Sequence, residues 1–145
     1  MTQPPQSAID GARASQIRWK IPASVTLAQW ALESAWGTKS SGPHNWFGMK
    51  ALPGQPSVLV NTHEVYKGRS IAVQAAFRAF ASDAEAFDAH GKLLATGAPY
   101  AAARKMLPDP FAFANGLTGV YATDPKYGAT IGAIIRGSHL TQFDR

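Results

Sequence analysis

One segment breaks the rhythm of this chain. Between Ser57 and Phe80 strand formers gather in two runs, Val58, Val60, Thr62, Val65 and Tyr66, then Ser70, Ile71, Val73 and Ala75, with Lys67-Gly68 as a turn between them. Elsewhere the apolar residues recur at three- and four-residue spacing. This pattern predicts one β-hairpin inserted between helices. The expected class is mainly α, of the α+β kind, with a small β element and no internal repeat.

The helical segments carry their own punctuation. Residues 1–6, with Pro4-Pro5, read as a flexible arm, followed by a loose stripe of Ala8, Ile9, Ala12, Ile17 and Trp19. From Pro22 to Ser34 there is no internal Gly or Pro, and Val25, Ala28, Leu32 and Ala35 share one helical face. Gly37 is expected to close that helix in a left-handed C′ conformation. Ser82 with Glu85 makes a capping box ahead of Phe87, Leu93 and Leu94, and Gly97 can end that helix. Short helices are expected after Pro99 and after Asp109-Pro110. Thr123-Asp124-Pro125 caps the last helix, whose Ile131, Ile134 and Ile135 face the core.

At 145 residues with 46% hydrophobic positions, the chain suits one domain over residues 1–145. No run of about 18 apolar residues exists to cross a bilayer, so no stable membrane insertion is expected. The first residues lack the basic and apolar regions of a secretory signal. There is no cysteine, which removes disulfides, thiolate nucleophiles and cysteine-zinc clusters together. The balance of 14 Lys+Arg against 9 Asp+Glu gives +5 and favours a polyanionic partner. Those charges are scattered, Arg104-Lys105 apart, so nucleic acid is not the expected partner.

The chemistry narrows by elimination. The four histidines, His44, His63, His90 and His139, are widely spaced, and His63-Glu64 lacks the second His of a zincin. Each reads as a surface or hydrogen-bonded residue. No nucleophile elbow, P-loop or dinucleotide fingerprint occurs. What remains is carboxylates. Glu33 lies at the end of the Pro22–Ser34 helix, among Trp30, Leu32 and Trp36, where the negative end of the helix dipole and desolvation both raise a carboxyl pKa. It could then donate a proton to a leaving oxygen; alternatively it faces solvent and pairs with Lys39. Glu64, in the hairpin, is the second candidate, since glycoside hydrolysis commonly uses two carboxyl groups flanking the scissile bond. The bland alternative is a solvated strand residue beside Lys67. Trp30, Trp36, Trp46, Phe47, Tyr66, Tyr121 and Tyr127 offer flat faces for a sugar ring, or for a core.

With these residues assembled, the chain resembles the glucosaminidase family of bacterial cell-wall hydrolases, glycoside hydrolase family 73, which includes autolysins and the hydrolase domain of the flagellar rod-cap protein. Leu27 to Gly37 resembles the family's A-x-x-E-S-x-W-G helix end, and Asn45-Trp46-Phe47-Gly48-Met49-Lys50 its N-L-F-G-I-K loop. Thr62-His63-Glu64 and Phe77 to Ser82 are similar to its hairpin T-x-E and F-R-x-Y-x-S, and Tyr121 to Tyr127 to its Y-A-T-D-P-x-Y. Trp46 replaces the usual Leu, and Phe80 stands where Tyr is common.

The resemblance implies a lysozyme-like helical domain with a hairpin lobe that forms a substrate cleft. It also implies an endo-β-N-acetylglucosaminidase that hydrolyses the β-1,4 bond on the reducing side of N-acetylglucosamine in peptidoglycan. A muramidase or lytic transglycosylase of the same superfamily, and a non-catalytic wall-binding or structural module, are the alternatives. Carried over, Glu33 is the general acid, Glu64 the second carboxylate, and Tyr121 lies near the reaction centre. Trp36, Asn45, Trp46, Phe47 and Gly48 shape the sugar-binding wall. The expected partner is the peptidoglycan glycan strand, met by a monomer with no metal or organic cofactor. Action is expected in the cell wall or periplasm, reached by phage-type lysis or specialised secretion.

Overall fold

The computed structural model describes residues 2–145. In chain order the elements are α1 (Gln6–Trp19), α2 (Ala23–Ser34), β1 (Ser57–Tyr66), β2 (Arg69–Arg78), α3 (Asp83–Thr96), α4 (Ala101–Arg104), α5 (Pro110–Gly116) and α6 (Tyr127–Gly137). Short 3-10 turns, Ala98–Tyr100 and Leu140–Phe143, precede α4 and follow α6.

Helix α2 is the axis of the body. Every residue from Ala23 to Ala31 is buried, under α1, α5, α6 and the last 3-10 turn. That demands an apolar sequence all round rather than a stripe, and the small Ala, Ser and Thr residues of α2 let its neighbours approach. Only at Leu32 and Glu33 does the helix emerge. Helix α1 lies against α3 at close range: a Cβ on Gly11 would stand 2.7 Å from Cγ of Phe87. At their edge Trp19 Nε1 donates to Asp88 Oδ1 at 2.8 Å, and Arg18 pairs with the same carboxylate. Ile131 and Ile135 of α6 are fully buried and Ile134 partly so, as the sequence predicts.

The hairpin forms as predicted, with antiparallel pairing from Ser57↔Arg78 to Tyr66↔Arg69. Lys67 (φ 49°) and Gly68 (φ 75°) both take left-handed conformations, which matches the twist of a two-residue hairpin turn. Its outer half contributes little to the core, for Val65 and Tyr66 are 80% and 62% exposed. Its foot is braced: Met49 O accepts from Arg78 N at 2.9 Å and Ala76 O from Ala51 N at 2.9 Å.

Two expectations need correction. Within the expected flexible arm, Met1 lies outside the described residues, but Pro4 is buried, Gln3 Nε2 donates to Ser138 O at 2.9 Å, and Gln6 already belongs to α1. The arm is docked because a proline ring and an amide each find a partner on the body. The left-handed turn after α2 also begins two residues early, at Ala35 (φ 48°) and Trp36 (φ 60°), before Gly37 (φ 81°). Ser34 Oγ donates to Trp30 O and accepts from Gly37 N at 2.8 Å, while Ser34 O accepts from Thr38 N and Lys39 N. These bonds close the helix end and hold two non-glycine residues where such residues are rarely found.

Candidate active site

Glu33 occupies the last turn of α2, at the point where that buried helix reaches the surface. Its residue is open to solvent on one side. On the other, the protein withholds water from the carboxyl and pushes its pKa above the ordinary 4.5. A hydrogen bond from the Tyr127 hydroxyl to Oε1, at 3.4 Å, acts in the opposite sense and is the smaller effect. The Tyr127 hydroxyl in turn accepts from Gln29 Nε2 at 3.0 Å. Gln29 and Glu33 are one helical turn apart on α2, so one phenol bridges two residues of the same face. Lys39 makes no ion pair with Glu33 among the described residues.

Behind Glu33 runs a row of rings. Tyr127 stacks on Tyr121 (centroids 5.6 Å apart, planes 26°), Tyr121 meets His90 edge-on (6.0 Å), and His90 stacks on Phe47 (4.1 Å, 19°). Burial, with the charge of Glu33 close by, raises the Tyr121 phenol well above its usual value, so it stays a neutral donor. His90 departs from the expectation of a surface or bonded imidazole. It is fully buried, both ring nitrogens lack a hydrogen-bond partner, and burial lowers its pKa to about 3.

Glu64 stands on the exposed hairpin in an ion pair with Lys50 Nζ at 2.8 Å. No hydrogen bond joins it to Glu33. Each candidate carboxylate thus has its own partner, Tyr127 for Glu33 and Lys50 for Glu64. A cavity of about 480 Å³ lies between the foot of the hairpin and α3. Neither Glu33 nor Glu64 lines it.

The expected sugar-binding wall divides. Trp36 is half-buried, edge-on to Trp30 (5.9 Å, 89°), and together with Trp46 lines a small hollow of about 120 Å³. Trp46 Nε1 donates to Asp83 Oδ1 at 2.8 Å, a bond the usual leucine cannot make. Gly48 is exposed with φ 66°. Asn45 and Phe47, by contrast, are placed inside, where they support the loop rather than stand at its surface. The amide of Asn45 is fully buried; Nδ2 donates to Met49 O and Arg78 O, and Oδ1 accepts from Met49 N. Phe47 is buried between His90 and Phe87. Both hold the loop from which Gly48 projects. Sequence reasoning missed the bridging role of Tyr127 and the burial of His90. The i, i+4 spacing of Gln29 and Glu33 was the available signal for the first.

Helical body, projecting hairpin and an acid where the central helix surfaces together make a lysozyme-like fold. Residues 9–140 match the family model for glucosaminidase, described as mannosyl-glycoprotein endo-beta-N-acetylglucosaminidase, and the chain belongs to that family. It is 36% identical over 132 residues to an autolysin of Enterococcus faecalis, covering 84% of this chain and 18% of the relative. It is also 36% identical over 130 residues to a protein of Lactococcus lactis named a probable N-acetylmuramidase, covering 83% of this chain and 30% of the relative. This chain thus spans less than a third of the length of either. Among solved structures, the catalytic domain of the autolysin Auto from Listeria monocytogenes superposes with a TM-score of 0.81 at 26% identity, covering 99% of this chain and 91% of that one.

Proposed function

We propose that this chain hydrolyses peptidoglycan as an endo-β-N-acetylglucosaminidase, cutting the β-1,4 bond on the reducing side of N-acetylglucosamine. The observation that carries the reading is the Glu33 carboxyl, solvent-facing, desolvated behind and held by Tyr127. A carboxyl with a raised pKa keeps its proton closer to neutral pH and can pass it to the glycosidic oxygen as the bond breaks. Tyr121, stacked on Tyr127, is a neutral phenol near the reaction centre. Trp36, Trp46 and Gly48 form the wall along which the glycan runs.

Glu64 supplies the second carboxylate. On closure of the hairpin over substrate it exchanges Lys50 for the reacting sugar and either activates water or stabilises the oxocarbenium ion. The site of action is the cell wall. The name carried by the Lactococcus relative favours the neighbouring muramidase bond as the second reading.

Digestion of purified peptidoglycan, borohydride reduction and mass spectrometry of the fragments separate the readings. A reduced N-acetylglucosamine end is expected. A reduced muramic end would transfer the assignment to a muramidase, a 1,6-anhydro end to a transglycosylase, and no fragments to a non-catalytic wall module.

A further inference from the structure

The cavity of about 480 Å³ has no part in the chemistry of Glu33, yet it is built as a binding site. Its roof is Met49, Lys50, Leu52 and Gln55 from the loop before the hairpin; Arg78 stands at the end of β2; its floor is one face of α3, from Glu85 to Thr96. The Arg78 backbone is fixed at both ends, its N–H on Met49 O and its carbonyl under the Asn45 amide. Its guanidinium lies over the Phe80 ring at 4.7 Å, and Nε is buried with no hydrogen-bond partner. The buried Nε is out of a ligand's reach, but the terminal guanidinium nitrogens, which make no ion pair among the described residues, are free to meet a carboxylate.

The other charges sort themselves. Lys50 is taken by Glu64, and Asp88 by Arg18 and Trp19. Left without an ion-pair partner among the described residues are Arg78 and Lys92, with Glu85 as the opposing anion. Met49, Leu52, Ala89 and Leu93 supply apolar surface between them. Two cations, one anion and aliphatic walls in a cavity this size do not match a neutral sugar, which asks for aromatic faces and amides. They match a short peptide bearing carboxylates and an amino group.

We propose that this cavity is a second subsite, one that binds the acidic peptide stem hanging from the glycan, with Arg78 and Lys92 on its carboxylates and Glu85 on its free amine. The inference rests on the reading of the chain as a peptidoglycan hydrolase. It goes further by making the enzyme a reader of the peptide as well as a cutter of the sugar. Through Lys50, which lines the cavity and holds Glu64, an occupied subsite touches the residue that ties down the hairpin.

The test compares two substrates, intact peptidoglycan and glycan strands stripped of peptide by an amidase. For Lys92→Glu and Arg78→Gln, kcat/KM on intact peptidoglycan should fall about tenfold, while the rate on stripped glycan stays within twofold of the wild type. Lys92 is exposed on α3, so its variant folds even if Arg78→Gln disturbs the hairpin foot. Equal rates for variant and parent on both substrates, or equal losses on both, would overturn the subsite. A second measurement does not depend on turnover: NMR titration with the soluble peptide freed from the glycan should shift the amides of Lys92, Leu93 and Thr96 in the wild type and not in Lys92→Glu. If the wild type cuts neither substrate but those shifts appear, the hydrolase reading fails and the peptide subsite stands. If it cuts both and no shift appears, the subsite fails alone.

Discussion

The two candidate carboxylates sit in regions built on opposite principles. Glu33 ends a helix buried on all sides, is backed by a row of aromatic rings, and shares a phenol with Gln29. Glu64 rides on a ribbon whose outer side chains are mostly in water, tied to the body by Lys50. The body tunes its carboxyl before any substrate arrives. The hairpin holds its carboxylate at the surface, paired with Lys50, so whatever Glu64 contributes must be made by the encounter. One lobe supplies preorganisation, and the other supplies adaptation.

The sharpest way to break this comparison is to neutralise each carboxyl. Glu33→Gln should lower kcat by about 10³-fold or more, roughly 4 kcal/mol of barrier, with binding to the wall intact. Glu64→Gln should cost about 10–100-fold; a loss as large as that of Glu33→Gln would make the hairpin an equal partner. The Glu33 variant carries a second signature. The folded chain holds that proton more tightly than the unfolded chain, so wild-type stability falls as pH rises from 4.5 through the raised value. Glu33→Gln escapes this, and its Tm should exceed that of the wild type at pH 7 and match it below about pH 4 in thermal melts.

Stability should divide in the same way. Ile131→Ala removes a fully buried side chain from α6 and should cost about 2–5 kcal/mol in urea unfolding. Tyr127→Phe strands the buried Gln29 amide, for an expected cost of about 1–3 kcal/mol. It also removes the bond that favours the Glu33 carboxylate, so the alkaline limb of the pH–rate profile should move to higher pH. Val65→Thr, near the hairpin tip, should change stability by less than about 0.5 kcal/mol. A larger loss there would mean that the ribbon belongs to the core.

The fold was legible where local signals decide it. Pro22 opens α2, Lys67-Gly68 turns the hairpin, and the Ser82 hydroxyl accepts from Glu85 N as a capping box should. Asp124 also serves the start of α6, although through Lys126 N and not at the N-cap itself. Burial was less legible, because it depends on partners far along the chain. The burial of Asn45 and Phe47 was not visible in sequence, since Arg78, Phe87 and His90, which cover them, lie more than thirty positions away. Tyr127 meets Glu33 across 94 positions. The early left-handed turn at Ala35 has no local signal, since Gly37, two residues later, is the residue that ordinarily makes such a turn.

The hairpin has a further consequence, for behaviour in concentrated solution. A two-stranded ribbon has two edges, and here only the foot of β2 is covered, by residues 49–51. Along the rest, backbone groups of β1 and β2 face outward with no strand beside them among the described residues. Such edges invite another copy to pair. Glu64, Lys67 and Arg69 near the tip put charges where a neighbour would have to dock, a defence that salt weakens. Light scattering should therefore report self-association that grows with ionic strength, the reverse of what a charge-driven complex would do.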